Sequence, residues 1–413
     1  MTCVVLYRKE QTQFELRKTL KERVPMKKRA GIFVCFFILA FLVVLDSSGQ
    51  NRFIIGTEDG DGFLAYPRHI QEGPDGNIYV FDWSDFYIKA YSPQGKYLRR
   101  IGGQGQGPGE VQRADGANFG FTSDGKLYFT EYIRGHRWIT FMKLSGEFIK
   151  VLPLDIKETF GIANSFPLED GGFLIQLSFM SAPEIKKDYF LYKSPSLLAR
   201  IDSEGKVISN ITRTEHFTRI SSSGDGADSP LPYSPEFLWV PSQNDTIVFA
   251  DGMSKNFKVY DYQGKLIREI ETALPKPDKV TSKDLAAWRR GREDSMMARN
   301  PSWYNRFGRV IEKYKKSLYD KPNINSISVT PEGNFVVEGP VHYEATEIQY
   351  WLLDEKGKIL AQMRLAGFDV SITENFVFFY SRDEDENVLV NCVKRKGSEK
   401  EDFLRLKEFL NQD

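Results

Sequence analysis

Cysteine is almost missing from this chain. Three occur in 413 residues, Cys3, Cys35 and Cys392, and only Cys392 follows the one long apolar run at residues 30–45. A single thiol can form neither an intramolecular disulfide nor a thiolate zinc cluster, so Cys392, set in an apolar stretch, reads as a buried structural side chain. Net charge is missing too. Fifty-six basic residues balance 56 acidic ones, which leaves no long-range field to gather a polyanion, and no basic stretch interleaves with aromatics, so nucleic acid is excluded as a partner. The four histidines, His69, His136, His216 and His342, show no metal-ligand spacing. There is no Gly-x-Ser-x-Gly elbow and no Gly-Lys-Ser or Gly-Lys-Thr, which removes the signatures of an α/β-hydrolase and a P-loop.

What is present begins with an address. Met26-Lys27-Lys28-Arg29 precedes the apolar run AGIFVCFFILAFLVVL at 30–45, and Asp46-Ser47-Ser48-Gly49 follows. A positive segment, an apolar core and then small residues describe a secretory signal at 26–49 that is cleaved before Gln50. An uncleaved membrane anchor is the alternative, although the run falls short of the roughly 20 residues of a full span. Residues 1–25 are charged and lead into nothing, and they read as an extension before a start at Met26. The expected location is exported: periplasmic, cell-surface or secreted, with membrane contact only through 30–45 if that segment stays on.

Repetition then decides the architecture. DGNIYVFDWSDFYIKAYSPQGKYLRRIG, from Asp75, and DGKLYFTEYIRGHRWITFMKLSGEFIKVL, from Asp124, align element by element at a period of about 49 residues. Looser copies begin at DGGFLIQLSF, NDTIVFADGMSKNFKVYDYQGKLIREI, EGNFVVEGPVHYEATEIQYWLLDEKGKILAQMRL and ENFVFFYSRDEDENVLVNCVKR. A short apolar segment stands upstream of each: PRHIQEG, ANFGFTS, ANSFPLE, PEFLWVPS, NSISVTP and GFDVSIT. Each unit therefore holds four short strands rich in Ile, Val, Phe and Tyr. A small antiparallel sheet repeated six times must stack on its neighbours to bury both faces, so the fold class is all-β, a six-bladed β-propeller over 50–396.

The last unit lacks its outermost strand, and RFIIG, directly after the signal, is the strand that supplies it and closes the ring. The tail, 397–413, has Phe403, Leu404, Leu406 and Leu410 at helical spacing and is expected to pack as a short outer helix. The turns PQGK, LSGE, SEGK, YQGK and EKGK place Gly95, Gly146, Gly205, Gly264 and Gly357 where a tight hairpin needs positive φ. By the same logic GGQGQGPGE, with no helical period after it, is an interblade connection and not a phosphate loop. YPRHIQEGPDGNIYVFDWSDFYIKAYSPQGKYLRRIGGQGQGPGE resembles an NHL-type repeat, and the region from about Arg52 to Lys396 resembles the exported bacterial six-bladed propellers built from such repeats. That resemblance implies the fold and an extracytoplasmic location. It implies no single activity, because binding modules and enzymes both occur in the group.

Two departures from the repeat carry the candidate sites. Residues 272–323 form an insertion between the fourth and fifth units. Ser282 is placed to cap a first helix running from Lys283 to about Arg299, and Phe307, Val310, Ile311, Tyr314 and Leu318 set the period of a second. From Lys283 to Lys321 there are eleven Lys and Arg against five Asp and Glu. Trp288, Arg289, Arg290, Arg292, Trp303 and Tyr304 are its candidate ligand- or partner-binding residues, suited to a protein, small-molecule or glycan ligand. The second is a ring facing the central channel: His69, Asn118, Asn164, Glu236, Asn325 and Asp369, near the starts of the six inner strands. Its oxygen-rich chemistry would suit Ca2+, and in composition it resembles the channel site of gluconolactonase- and paraoxonase-type lactone hydrolases. Asp82, Glu131 and Asp251, after the second strands of their units, read as loop caps. The leading functional reading is a non-catalytic binding or scaffold propeller. A cation-dependent hydrolase or lyase and an anchored sensor ectodomain are the alternatives, and oligomeric state is not legible.

Overall fold

The computed structural model describes residues 52–105, 107–110, 118–133, 136–156, 161–178, 190–221, 228–235, 237–292, 320–340, 346–385 and 387–410. The signal or anchor at 26–49 and the extension at 1–25 lie outside them.

Strand β1 (Arg52–Ile55) opens the described chain. The first blade is β2 (Pro67–Glu72), β3 (Ile78–Asp82), β4 (Tyr87–Tyr91) and β5 (Tyr97–Gly102); the second is β6 (Phe119–Phe121), β7 (Leu127–Ile133), β8 (His136–Met142) and β9 (Phe148–Pro153). The third holds β10 (Gly161–Pro167), β11 (Phe173–Ser178), β12 (Phe190–Ile201), β13 (Val207–Ser221) and β14 (Asp228–Pro230). The fourth is β15 (Leu238–Ser242), β16 (Thr246–Ala250), β17 (Asn256–Asp261) and β18 (Leu266–Glu271). Helix α1 (Ser282–Arg292) follows, then the fifth blade: β19 (Ser326–Val329), β20 (Phe335–Glu338), β21 (Ile348–Leu353) and β22 (Ile359–Leu365). The sixth has β23 (Phe368–Ile372), β24 (Phe376–Arg382) and β25 (Val388–Lys394), and helix α2 (Glu399–Leu410) ends the chain. All strand pairings within the blades are antiparallel.

Burial explains the strand sequences. A second strand is covered on both faces by neighbouring blades, so IYVFD of β3 and FVVE of β20 are buried at every position, whereas the outer β5, YLRRIG, alternates toward solvent. The core accordingly divides into six apolar layers, one between each pair of adjacent blades. The layer joining the sixth blade to the first, with Ile55, Val80, Tyr91, Phe378 and Cys392, closes the ring. Strand β1 pairs with β25, Arg52 opposite Val393 through Ile55 opposite Val390, as the orphan RFIIG predicts. Glu72 adds a polar clasp across the same junction: it accepts hydrogen bonds from Thr373 Oγ1 at 2.6 Å and Asn375 N at 3.1 Å. Cys392 is fully buried, which pushes its thiol pKa well up.

Gly95, Gly146, Gly205, Gly264 and Gly357 all have φ between +83° and +94°. At Gly205 the space is as restrictive as the dihedral, since a Cβ would stand 2.3 Å from the Pro153 carbonyl oxygen of the second blade. In GGQGQGPGE the backbone N–H of Gly107 is taken by the chain's own Glu110 carboxylate at 2.7 Å.

Three expectations need correction. The third blade has five strands: β12 and β13 run on past β11, and β14 pairs with Arg219–Ser221 at their far end. The cap of α1 is Thr281, not Ser282. Thr281 Oγ1 accepts from Asp284 N at 3.2 Å and the Asp284 carboxylate accepts from Thr281 N at 2.7 Å, a reciprocal box that satisfies both orphan donors. In α2, Phe403 and Leu406 are fully buried but Leu404 is exposed, because it lies off the three- and four-residue spacing of that face.

Candidate functional site

Connectivity separates the two faces of the ring. On one lie the tight turns between first and second strands, such as 73–77 and 330–334, and between third and fourth strands, such as 92–96 and 354–358, together with the start of β1 and helix α2, whose Glu399 accepts from Thr330 Oγ1 and Glu332 N. On the other, the mouth face, lie the starts of the inner strands, the connections after each second strand and every blade-to-blade crossing. The extended β12–β13 hairpin, the glycine-rich crossing and the 272–323 insertion all belong to it.

The channel ring is only partly assembled. Asn118 donates from Nδ2 to Asn164 Oδ1 at 2.5 Å, and that oxygen also accepts from Ser165 N at 2.8 Å, so the two amides tie the second blade to the third. Asn325 donates from Nδ2 to the carboxylate of Glu338, a buried residue that also accepts from the Tyr350 hydroxyl at 2.6 Å and from Asp369 N at 3.0 Å. Those bonds organise the fifth and sixth blades. Glu236 lies outside the described residues. Among the described residues no group of three or more His, Cys, Asp or Glu side chains could hold a metal ion, and the amide oxygen of Asn164 is committed to protein donors.

His69 stands apart from these networks; it and Asp369 share a backbone feature. They occupy β-bulges at matching places in the inner strands of the first and sixth blades, with φ of +45° and +55°, and both side chains are exposed. A non-glycine residue held in that region costs about 1–3 kcal/mol and persists where the surrounding structure enforces it. The His69 side chain is exposed at its edge yet has protein on most sides. Desolvation and then the charge of Arg68 lower its pKa to about 4, so the imidazole is neutral at pH 7. It has no hydrogen-bond partner among the described residues.

Asp82 and Asp251 are placed as the expected loop caps, whereas Glu131 lies within β7, opposite Trp138 of β8. Asp82, fully buried, accepts from Ala65 N, Tyr66 N and Ser84 N, each at 3.0 Å, and pairs with the buried Lys89 at 2.9 Å. Asp251 accepts from Met253 N at 3.0 Å and Ser254 N at 2.8 Å, while Glu131 accepts from the Trp138 indole at 2.9 Å. Glu338 is the fifth-blade counterpart that sequence reasoning missed. Its place at the end of a second strand matches that of Asp82, and the glycine after it matches Gly252 after Asp251.

The insertion is pinned at its neck. Lys321 N donates to Asp278 O at 2.6 Å, Lys321 Nζ sits 3.3 Å from Asp284, and Asn323 Nδ2 donates to Pro275 O at 2.9 Å. Burial raises the Asp284 pKa, but hydrogen bonds from Thr281 and the Lys321 charge outweigh it and leave the carboxyl below its ordinary range. Trp288 is 4% exposed. The structure therefore makes it an anchor for α1 and not a ligand-facing ring, because the helix must bury its one apolar stripe beside Ala287. Arg289 is half-buried and Arg290 exposed. The side chains of Arg292, Trp303 and Tyr304 lie outside the described residues.

A cavity of about 290 Å3 opens on the turn face between the fourth and fifth blades, lined by residues including Gln243, Asn244, Arg268 and Glu355. Its Arg268 is turned onto the Glu355 carbonyl at 3.5 Å. The mouth face, with its partnerless imidazole and strained bulges, is the stronger candidate.

No protein-family model matches the chain, and no curated protein matches it. Among solved structures it is similar to a candidate exported protein from Bacteroides fragilis NCTC 9343 (TM-score 0.48, 12% identity, covering 84% of this chain and 95% of that one). It is also similar to a DUF4221 family member from Bacteroides vulgatus ATCC 8482 (TM-score 0.44, 12% identity, 83% and 95%) and to virginiamycin B lyase from Staphylococcus aureus (TM-score 0.41, 10% identity, 84% and 98%). None of these likenesses is strong enough to carry an activity across. The six-bladed fold rests on this chain's own strand pairing.

Proposed function

We propose that the protein is an extracytoplasmic binding or scaffold propeller that takes its ligand or partner on the mouth face. The observation that supports this reading is the asymmetry between faces. On one side tight turns join the strands of the first five blades and α2 packs against the 330–334 turn, while the other side carries the insertion, the elongated third-blade hairpin and the glycine-rich crossing. Long loops cost a repeat fold little, about 0.6 kcal/mol per doubling of length, yet they contribute nothing to its stacking, so their concentration on one face favours recognition there. Export rests on the signal-like order of residues 26–49. No described helix is long and apolar enough to cross a membrane.

A catalytic reading has one observation in its favour, the exposed His69 imidazole held at positive φ with no hydrogen-bond partner among the described residues. It lacks a cation-binding cluster among the described residues.

Photo-crosslinking in the source cell tests the binding-face reading without knowledge of the ligand. Benzoylphenylalanine placed at the exposed Arg290 should give discrete adducts, and the same probe at Lys356, exposed on the turn face, should give none. Adducts from Lys356 alone, or equally from both, would reverse the assignment of the faces.

A further inference from the structure

The first blade presents an aromatic pair that neither the channel ring nor the core uses. Pro67 pairs with Asp82 across β2 and β3, which sets the residues just beyond them, Tyr66 and Trp83, opposite each other on the mouth face. Their rings stack at 5.5 Å with 29° between planes, and they remain 41% and 37% exposed. Asp82 fixes the backbone on both sides through Tyr66 N and Ser84 N. Arg68 completes the group. Its guanidinium carbon lies 4.8 Å from the Tyr66 ring centre and 5.8 Å from that of Trp83, and Nη2 donates to the Tyr66 hydroxyl at 2.8 Å.

Three properties of this group are left unanswered by the protein. Arg68 has no carboxylate within ion-pair reach among the described residues, although a guanidinium lying on a ring face keeps its edge N–H groups open to a bidentate acid. The Trp83 indole N–H has no acceptor among them. Two large rings are left in water side by side, where apolar surface is costly unless something covers it.

We propose, resting on the binding-face reading above, that Tyr66, Arg68 and Trp83 form a subsite for an acidic sugar. The carbon–hydrogen face of a pyranose ring lies on the exposed aromatics, its carboxylate pairs with Arg68, and the Trp83 Nε1–H donates to a ring hydroxyl. An open platform favours a sugar over a flat apolar ring, because the sugar keeps its hydroxyl rim hydrated while one face is covered. The unpaired guanidinium sets the charge.

Calorimetric titration of the full chain tests this. Tetragalacturonate or a chondroitin sulfate tetrasaccharide should bind, cellotetraose and polyglutamate should bind at least tenfold more weakly, and Trp83→Ala and Arg68→Gln should each weaken the acidic tetrasaccharide tenfold or more. Trp83 and Arg68 are exposed, so both variants should melt as the parent does. Failure of both acidic tetrasaccharides to bind overturns the proposal, as does binding undiminished in both variants. Equal affinity for cellotetraose removes the charge requirement, and equal affinity for polyglutamate with the same dependence on Trp83 removes the sugar; either overturns it as well. Crosslinks from Arg290 that persist while no acidic sugar binds would reject this subsite and leave the binding face standing.

Discussion

Asp82→Asn is expected to lower the unfolding free energy by roughly 3 kcal/mol, a large fraction of the 5–15 kcal/mol that holds a typical native protein together. The carboxylate is fully buried and accepts from three backbone N–H groups and the Ser84 hydroxyl as well as from Lys89. An amide keeps the shape but turns donors toward donors and leaves the Lys89 ammonium, 3% exposed, with Asp85 at 2.8 Å as its remaining carboxylate partner. Burial by itself raises the Asp82 pKa, but the hydrogen bonds from Lys89 and Ser84 outweigh it and hold the carboxyl below its ordinary range. A group lowered in this way stabilises the fold above its unfolded pKa of about 3.9, and that contribution is lost as pH falls through the folded value. The gap between parent and variant in chemical denaturation should therefore be full at pH 7 and shrink below about pH 4. An unchanged denaturation midpoint at pH 7 would contradict the role given to Asp82.

Removing residues 52–55 from the full chain should cost on the order of 5 kcal/mol. Ile55 is 2% exposed and the Phe53 ring meets Phe376 edge-on at 6.2 Å; burial of such side chains contributes about 1.5–3 kcal/mol each, before the ladder to β25 is counted. The residues that could slide into register, Ser48, Gly49, Gln50 and Asn51, offer no apolar replacement. The bared edge of β25 would also template association between chains. Differential scanning calorimetry with light scattering should show a lower Tm and earlier aggregation. A deletion variant that melts like the parent would mean that β1 does not close the ring.

The ring was legible because turns repeat more faithfully than strands do. Asp-Gly before the second strand and Gly before the fourth recur because hairpin geometry demands them, whereas strand residues drift among Ile, Val, Phe and Tyr at little cost. The extra length of the third blade was not legible. Its strand β12 passes through Pro195, which breaks the apolar alternation of LYKSPSLLAR, and the fold absorbs that proline at a bulge between Ser194 and Ser196. The candidate channel ring was legible as a set of inner-strand starts, but not in its hydrogen bonding. The starts of the inner strands did mark the mouth face, but Asn118 and Asn164 turned out to answer each other across blades, a pairing that spacing of 46 residues cannot reveal. Trp288 looked like a ligand-facing aromatic because its basic neighbours mark a surface, yet the helix needed it as its anchor. Tyr66 and Trp83 were hidden in apolar-looking segments, and only the register of β2 against β3 sets one ring on the other.

Hydrogen exchange of the full chain, with and without an extract of the source cell, tests the assignment of the binding face most directly. Protection should appear in peptides covering 62–69, 83–87 and 282–292 on the mouth face, and exchange at the turns 73–77, 122–126, 330–334 and 354–358 should not change. Protection confined to those turns, or spread equally over both faces, would contradict it.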